Sequence, residues 1–167
     1  MTNPTAARYG LIAGISIVAY FLLFYFINAR LLFNPWVYWA SVGVYLAVMW
    51  KALQDGREAS GGQLPFQEGL RAAFLIFVVA NLVYYCFYYL LFGLLDPSLV
   101  ELQKTVMRES LEHSAGLLSE QQRQDLLESL EDDGVAITPG TVFFTYLRSL
   151  IGGFIAAAGL AALVNRV

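Results

Sequence analysis

Charge is scarce in this chain. Only 14% of its 167 residues are Asp, Glu, Lys or Arg, whereas a soluble domain carries about 25%. Histidine is limited to His113 and cysteine to Cys86. A single cysteine excludes a disulfide scaffold, and within the apolar run Leu82–Leu95 its thiol is expected to pack as a small hydrophobe. The formal net charge of −3 excludes a basic nucleic-acid binder. P-loop, GxSxG, HExxH and CxxC patterns are all missing. The chain is therefore expected to be no enzyme, to use no cofactor and to hold no catalytic metal. What it has in excess is apolar side chain, at 58%. A fold of this size buries only about 70% of its unfolded surface, so lipid is expected to solvate the rest.

Four stretches are candidates for spanning about 30 Å of hydrocarbon, which takes about 20 helical residues. Tyr9–Ala29, Leu31–Trp50 and Ala72–Leu95 carry no charge over 21, 20 and 24 residues. Ser149–Asn165 has 17, and the uncharged Gly134–Leu147 precedes it with only Arg148 between. None alternates with the period of a barrel strand. The first run is longer than a signal-peptide core and Phe26-Ile27-Asn28-Ala29-Arg30 offers no small-residue cleavage site, so it is expected to be retained. Each of the five prolines stands where a helix should start: Pro4, Pro35, Pro65, Pro97 and Pro139. Asn3, Asn34, Asp96 and Thr138 before four of them are natural N-caps. The expected fold is all-α, an integral-membrane four-helix bundle with helices at about 4–28, 35–54, 65–95 and 139–165.

Short-loop charge sets the expected orientation. One side carries Arg8, Lys51, Arg57, Arg71 and Arg166, the other only Arg30. The positive-inside rule then puts both termini in the cytoplasm of a bacterial inner-membrane protein. Trp36, Tyr38 and Trp39 fall near the outer interface and Trp50 near the inner one.

Residues 96–138 differ from the rest. They hold ten acids and three bases, for −7, while the remaining chain is +4. Leu99, Leu102, Val106, Met107 and Leu111 make one apolar stripe, and Gly116 weakens its end. Ser119-Glu120-Gln121-Gln122 reads as a capping box before Leu126, Leu127 and Leu130, and Asp132-Asp133-Gly134 stops that helix. This is an acidic, extracytoplasmic helical hairpin. A solvated polar face is its plainest reading; a cationic partner or divalent ions is the other. Glu109 and His113 share a helix face, but a metal needs more ligands than stand nearby.

Within the apolar segments the fourth is rich in small residues. Ser149, Gly153, Ala157 and Ala161 recur every four residues, with Gly152, Ala156 and Gly159 on the adjoining stripe. Gly10 and Gly14 in the first segment have the same spacing. Such faces permit close helix approach, within the bundle or to another membrane protein or a second copy. The third segment has Asn81, with Tyr84, Tyr85, Tyr88 and Tyr89 on one broad face. An amide in lipid turns inward, and those hydroxyls are its expected partners. With Arg148 they form a candidate intramembrane polar cluster. Arg148 lies about a turn inside the interface, where its side chain can snorkel to water.

The layout resembles a known family. A short tail runs into Tyr9-Gly10-Leu11-Ile12-Ala13-Gly14, followed by the loop Gly61-Gly62-Gln63-Leu64-Pro65-Phe66-Gln67-Glu68-Gly69-Leu70. The third segment ends in Leu95-Asp96-Pro97, before the acidic insert and the Gly/Ala-rich last helix. This resembles the small bacterial membrane proteins of domain of unknown function 4199, over nearly the whole chain. Gly62, Phe66, Glu68, Asp96 and Pro97 are the positions that carry the likeness; Pro65, Gln67 and Gly69 depart from the family's usual residues. The resemblance implies topology and a membrane location, and no activity. Two readings remain: a non-enzymatic accessory or scaffolding subunit that docks other membrane proteins, or a small oligomeric transporter, channel or lipid-binding module using the polar aromatic face of the third helix.

Overall fold

A computed structural model describes residues 3–113, 119–131 and 137–166. The described residues are helical throughout their regular structure and contain no strand. Gly116 and Asp132-Asp133-Gly134, expected to end the two hairpin helices, lie outside them. The long helices are α1 (Asn3–Ile27), α2 (Pro35–Ala59), α3 (Phe66–Tyr89) and α6 (Pro139–Arg166). Two shorter ones, α4 (Ser98–His113) and α5 (Glu120–Glu131), form the insert.

The helix starts follow local chemistry. The Asn34 side chain accepts from the Trp36 N–H at 2.9 Å, with Pro35 in the first turn of α2. Thr138 caps α6 by accepting from the Thr141 N–H at 3.1 Å. At α5 the capping box is reciprocal: Gln122 N–H donates to Ser119 Oγ, and Ser119 N–H donates to Gln122 Oε1. The turn after α2 requires glycine, because Gly61 and Gly62 have φ of 76° and 91°. The Gly62 N–H returns to the Arg57 carbonyl and the Arg57 guanidinium to the Gly62 carbonyl. This gives Gly62 a backbone role, while Phe66 and Glu68 sit exposed in the first turn of α3.

Two elements were not foreseen. Ala29–Phe33 forms a short 3-10 turn between α1 and α2. Leu90–Leu95 continues α3 as a π-helical segment, closed by the Asp96 N–H on the Leu91 carbonyl at 2.8 Å.

Three helices are long and apolar enough to cross a membrane: Pro4–Ile27, Phe66–Leu95 and Pro139–Asn165. The expectation of four spans therefore holds for three by this criterion. The segment Leu31–Trp50 falls short because aromatic residues with polar handles (Trp36, Tyr38, Trp39, Tyr45 and Trp50) replace aliphatic ones in α2. Outside the bundle these helices present apolar side chains, such as Ile15 and Phe26 on α1 and Phe144, Ile151 and Ile155 on α6.

Helix α3 is the centre of the bundle, packed by α1 on one side and α6 on another. Its inward residues are mostly small: Gly69, Ala72, Ala73 and Ala80, with Ile76 and Asn81. A Cβ added at Gly10 would lie 2.7 Å from Val79 Cβ and 2.9 Å from the Ile76 carbonyl oxygen. One added at Gly14 would meet Val83 Cβ at 2.7 Å and the Ala80 carbonyl at 3.0 Å. Backbone is nearly touching backbone here, so the glycine spacing of α1 serves intramolecular packing. On α6, Gly153, Ala157 and Ala161 are buried, and a Cβ on Gly153 would fall 2.1 Å from the Phe77 ring. Gly152 and Gly159 are exposed, with nothing within 4 Å of an added Cβ. Cys86 is exposed on the outer face of α3, so the thiol expected to be packed is not.

The acidic insert is tied to the end of the bundle. Leu99 is 1% exposed and packs with Leu91 and Phe92 beneath α4. Glu109, weighed above as half of a metal-binding pair, instead forms an ion pair with Arg30 of the α1–α2 turn. Asp96 accepts from the Tyr25 hydroxyl at 2.9 Å and from the Ser98 hydroxyl. The Ser98 bond chiefly, and then the Tyr25 bond, hold the Asp96 carboxyl below its ordinary value of 3.8.

Gly10→Ala and Gly14→Ala should each destabilise the protein by about 1–3 kcal/mol, because the helices must move apart. Gly43→Ala, where an added Cβ meets nothing, should be nearly neutral. Thermal unfolding in detergent that ranks the three alike would contradict this packing. The Asp96 contribution should be complete above the ordinary carboxyl value and lost as pH falls through the lowered one. Asp96→Asn should reproduce that loss at neutral pH, read as faster amide exchange across Ser98–His113.

Candidate functional site

A groove lies between α2 and α6, with α3 as its floor. Its volume is about 560 Å³. Tyr38, Trp39 and Tyr45 of α2 stand on one wall; Arg148, Gly152 and Ala156 of α6 stand on the other. Phe77, Asn81, Tyr84 and Tyr85 line the floor. Among the described residues no carboxylate lines it, and Arg148 is its one cation.

Asn81 is 4% exposed and fully engaged. The Tyr45 hydroxyl donates to Asn81 Oδ1 at 3.3 Å, and Asn81 Nδ2 donates to Ser149 Oγ at 2.5 Å. Ser149 in turn donates to the Tyr146 carbonyl at 2.6 Å. The amide thus joins α2, α3 and α6. Its tyrosine partner comes from α2, not from its own helix as expected, and Ser149, assigned to helix packing, is also a polar link. Sequence spacing could not reveal Tyr45, since it is 36 positions from Asn81 and one of many aromatics.

The five residues of the expected polar cluster are divided. Asn81, Tyr84, Tyr85 and Arg148 line the groove; Tyr88 does not. Tyr88 stacks on Phe92 at 4.4 Å between ring centroids, in a second cavity of about 170 Å³ beneath α4. Phe21 and Tyr84, 5.3 Å apart, line both spaces and form the partition between them. Gln103 of α4 borders the second cavity, and its Oε1 is buried without a hydrogen-bond partner. A buried acceptor of this kind is uncommon. Of the packing stripe, Ser149, Gly152, Gly153 and Ala156 all border the groove, whereas Gly10, Gly14, Ala157, Gly159 and Ala161 do not.

The fold and groove define an all-helical protein with helices able to cross a membrane and a polar centre reached from the side of the bundle. A family model described as protein of unknown function (DUF4199) matches residues 8–166, and the chain belongs to that family. No curated protein and no solved structure matches it.

The Asn81–Ser149 contact should register as coupling. A double-mutant cycle with Asn81→Ala and Ser149→Ala is expected to give roughly 0.6–2 kcal/mol, the range of interhelical hydrogen bonds in membranes. Additive effects in reversible unfolding from detergent would show that the two side chains act separately.

Proposed function

We propose that the protein is a four-pass, non-enzymatic inner-membrane protein that holds an amphiphile from the bilayer in the groove between α2 and α6. The fourth crossing is α2. At 1.5 Å per residue its 25 residues span about 37 Å. It runs beside α1 for nearly that length: the Tyr20 hydroxyl donates to the Val37 carbonyl near one end, and the Tyr9 hydroxyl to Asp55 near the other. Its aromatic residues suit an interface-to-interface helix better than hydropathy alone suggests.

The loop charges favour cytoplasmic termini and an extracytoplasmic acidic hairpin. The Arg30–Glu109 ion pair is consistent with that reading, since it joins the α1–α2 turn and the hairpin at one end of the bundle. The observation that carries the function is the groove itself: an opening between α2 and α6, aromatic along its α2 wall, that reaches the buried Asn81. A bilayer supplies amphiphiles to such an opening without passage through water.

A second reading, an accessory or scaffolding subunit, rests on Gly43 and Gly159. They leave open backbone on the outward surfaces of α2 and α6, where another helix, from a second copy or a different membrane protein, can approach closely. The acidic hairpin would then serve a cationic partner or divalent ions.

Native mass spectrometry of the full chain released gently from mixed-lipid nanodiscs tests the first reading. One retained amphiphile per chain is expected. Gly152→Leu, whose added Cβ meets nothing in the protein, should fill the groove and reduce retention severalfold while leaving thermal stability unchanged. A wild-type chain that emerges without lipid, or a variant that retains as much, would defeat the reading.

A further inference from the structure

We infer that the guest in this groove carries an anionic head, a phosphate or carboxylate group, held by Arg148. The inference rests on the amphiphile reading above and specifies what that amphiphile must be. Arg148 projects from a helix that carries no acid, and among the described residues no carboxylate pairs with it. The buried amide is already answered: Asn81 is bonded to Tyr45 and Ser149, and Ser149 to the Tyr146 carbonyl. The guanidinium is the charged donor of the groove, a fork suited to two oxygens of one anion. A groove lined by one cation and no carboxylate attracts an anion and repels a cationic head.

The α6 wall has a matching order. Arg148, Gly152 and Ala156 are four residues apart and so lie on one face. Below the cation the wall is first bare backbone and then a single methyl group, over about 12 Å of helix. This leaves a track for an acyl chain beneath a head at Arg148. The facing wall supplies the Trp39 indole N–H and the Tyr38 hydroxyl near the groove's mouth, both on exposed side chains with no hydrogen bond of their own among the described residues. Arg148 lies about 13 Å along α6 from Pro139, where a long side chain reaches the headgroup layer.

The test uses the full chain in nanodiscs of equal phosphatidylglycerol and phosphatidylcholine, with oleate and inorganic phosphate as separate arms. Native mass spectrometry should show phosphatidylglycerol or oleate enriched on the wild type by about tenfold over phosphatidylcholine, whose phosphate is offset by a choline cation that Arg148 repels. Arg148→Gln should abolish the preference while total lipid occupancy persists, and Arg148→Lys should keep part of it. Which of the two anionic amphiphiles dominates identifies the head as phosphate or carboxylate. Equal retention of phosphatidylcholine on the wild type, or an unchanged preference in Arg148→Gln, overturns the anionic head and leaves the groove reading standing. Retention of inorganic phosphate with no amphiphile, or of nothing at all, overturns both.

Discussion

Close approach of backbone to backbone around α3 is the constraint on which the rest of the structure depends. Lipid is as apolar as leucine, so helices in it gain little from hiding aliphatic side chains and must gain from contact instead. Gly10 and Gly14 bring α1 against the backbone of α3. On another side Gly153 admits the Phe77 ring, and Ala157 and Ala161 keep α6 near. With α1 and α6 both drawn to α3, the larger residues of α2 cannot close against α6 along its whole length. Tyr38, Trp39 and Tyr45 line the α2 side of the groove that is left, above α3. The groove is thus a consequence of tight packing elsewhere.

Local features of this fold were legible in the sequence. Each proline marks a helix start, and the caps at Asn34, Ser119 and Thr138 use side chains within three residues of their partners. Nonlocal features were not legible. Helix α1 is apolar around its whole circumference, so periodicity gives it no inward face. On α6 two stripes of small residues share one spacing, yet Gly153 is buried against Phe77 and Gly152 opens to the groove. Spacing says which residues share a face; it does not name the neighbour. The tyrosines after Asn81 show the same limit. Tyr85 turns toward Tyr146, while Tyr88 turns toward Phe92, so one broad face serves two different spaces.

The acidic insert shows how a polar segment can be integral to an apolar bundle. Its charge suggests a separate surface, but α4 buries Leu99 against the π-helical end of α3. The wider π turn brings the chain to Asp96, which binds Tyr25 of α1 and Ser98 of α4 together. Arg30 and Glu109 add a second tie, between the α1–α2 turn and α4. Two of the positions that carry the family resemblance, Asp96 and Pro97, therefore stand at this junction. In α5 the apolar side is less covered: Leu126 is 42% exposed. The first helix of the insert belongs to the bundle, and among the described residues the second packs on the first.

What separates a functional pocket from an ordinary polar patch here is the balance of donors and acceptors. Asn81 alone would suggest a site, since an amide in lipid is costly. Tyr45 and Ser149 answer it, and the amide then acts as a link among three helices. Arg148 has no such answer within the described residues, although it stands beside Ser149 and lines the same groove. Snorkelling can carry its charge to the interface without a guest, but it would not explain an acid-free groove whose α6 wall becomes small directly below the cation. A head at the guanidinium and a chain along Gly152 and Ala156 accounts for both features with one occupant.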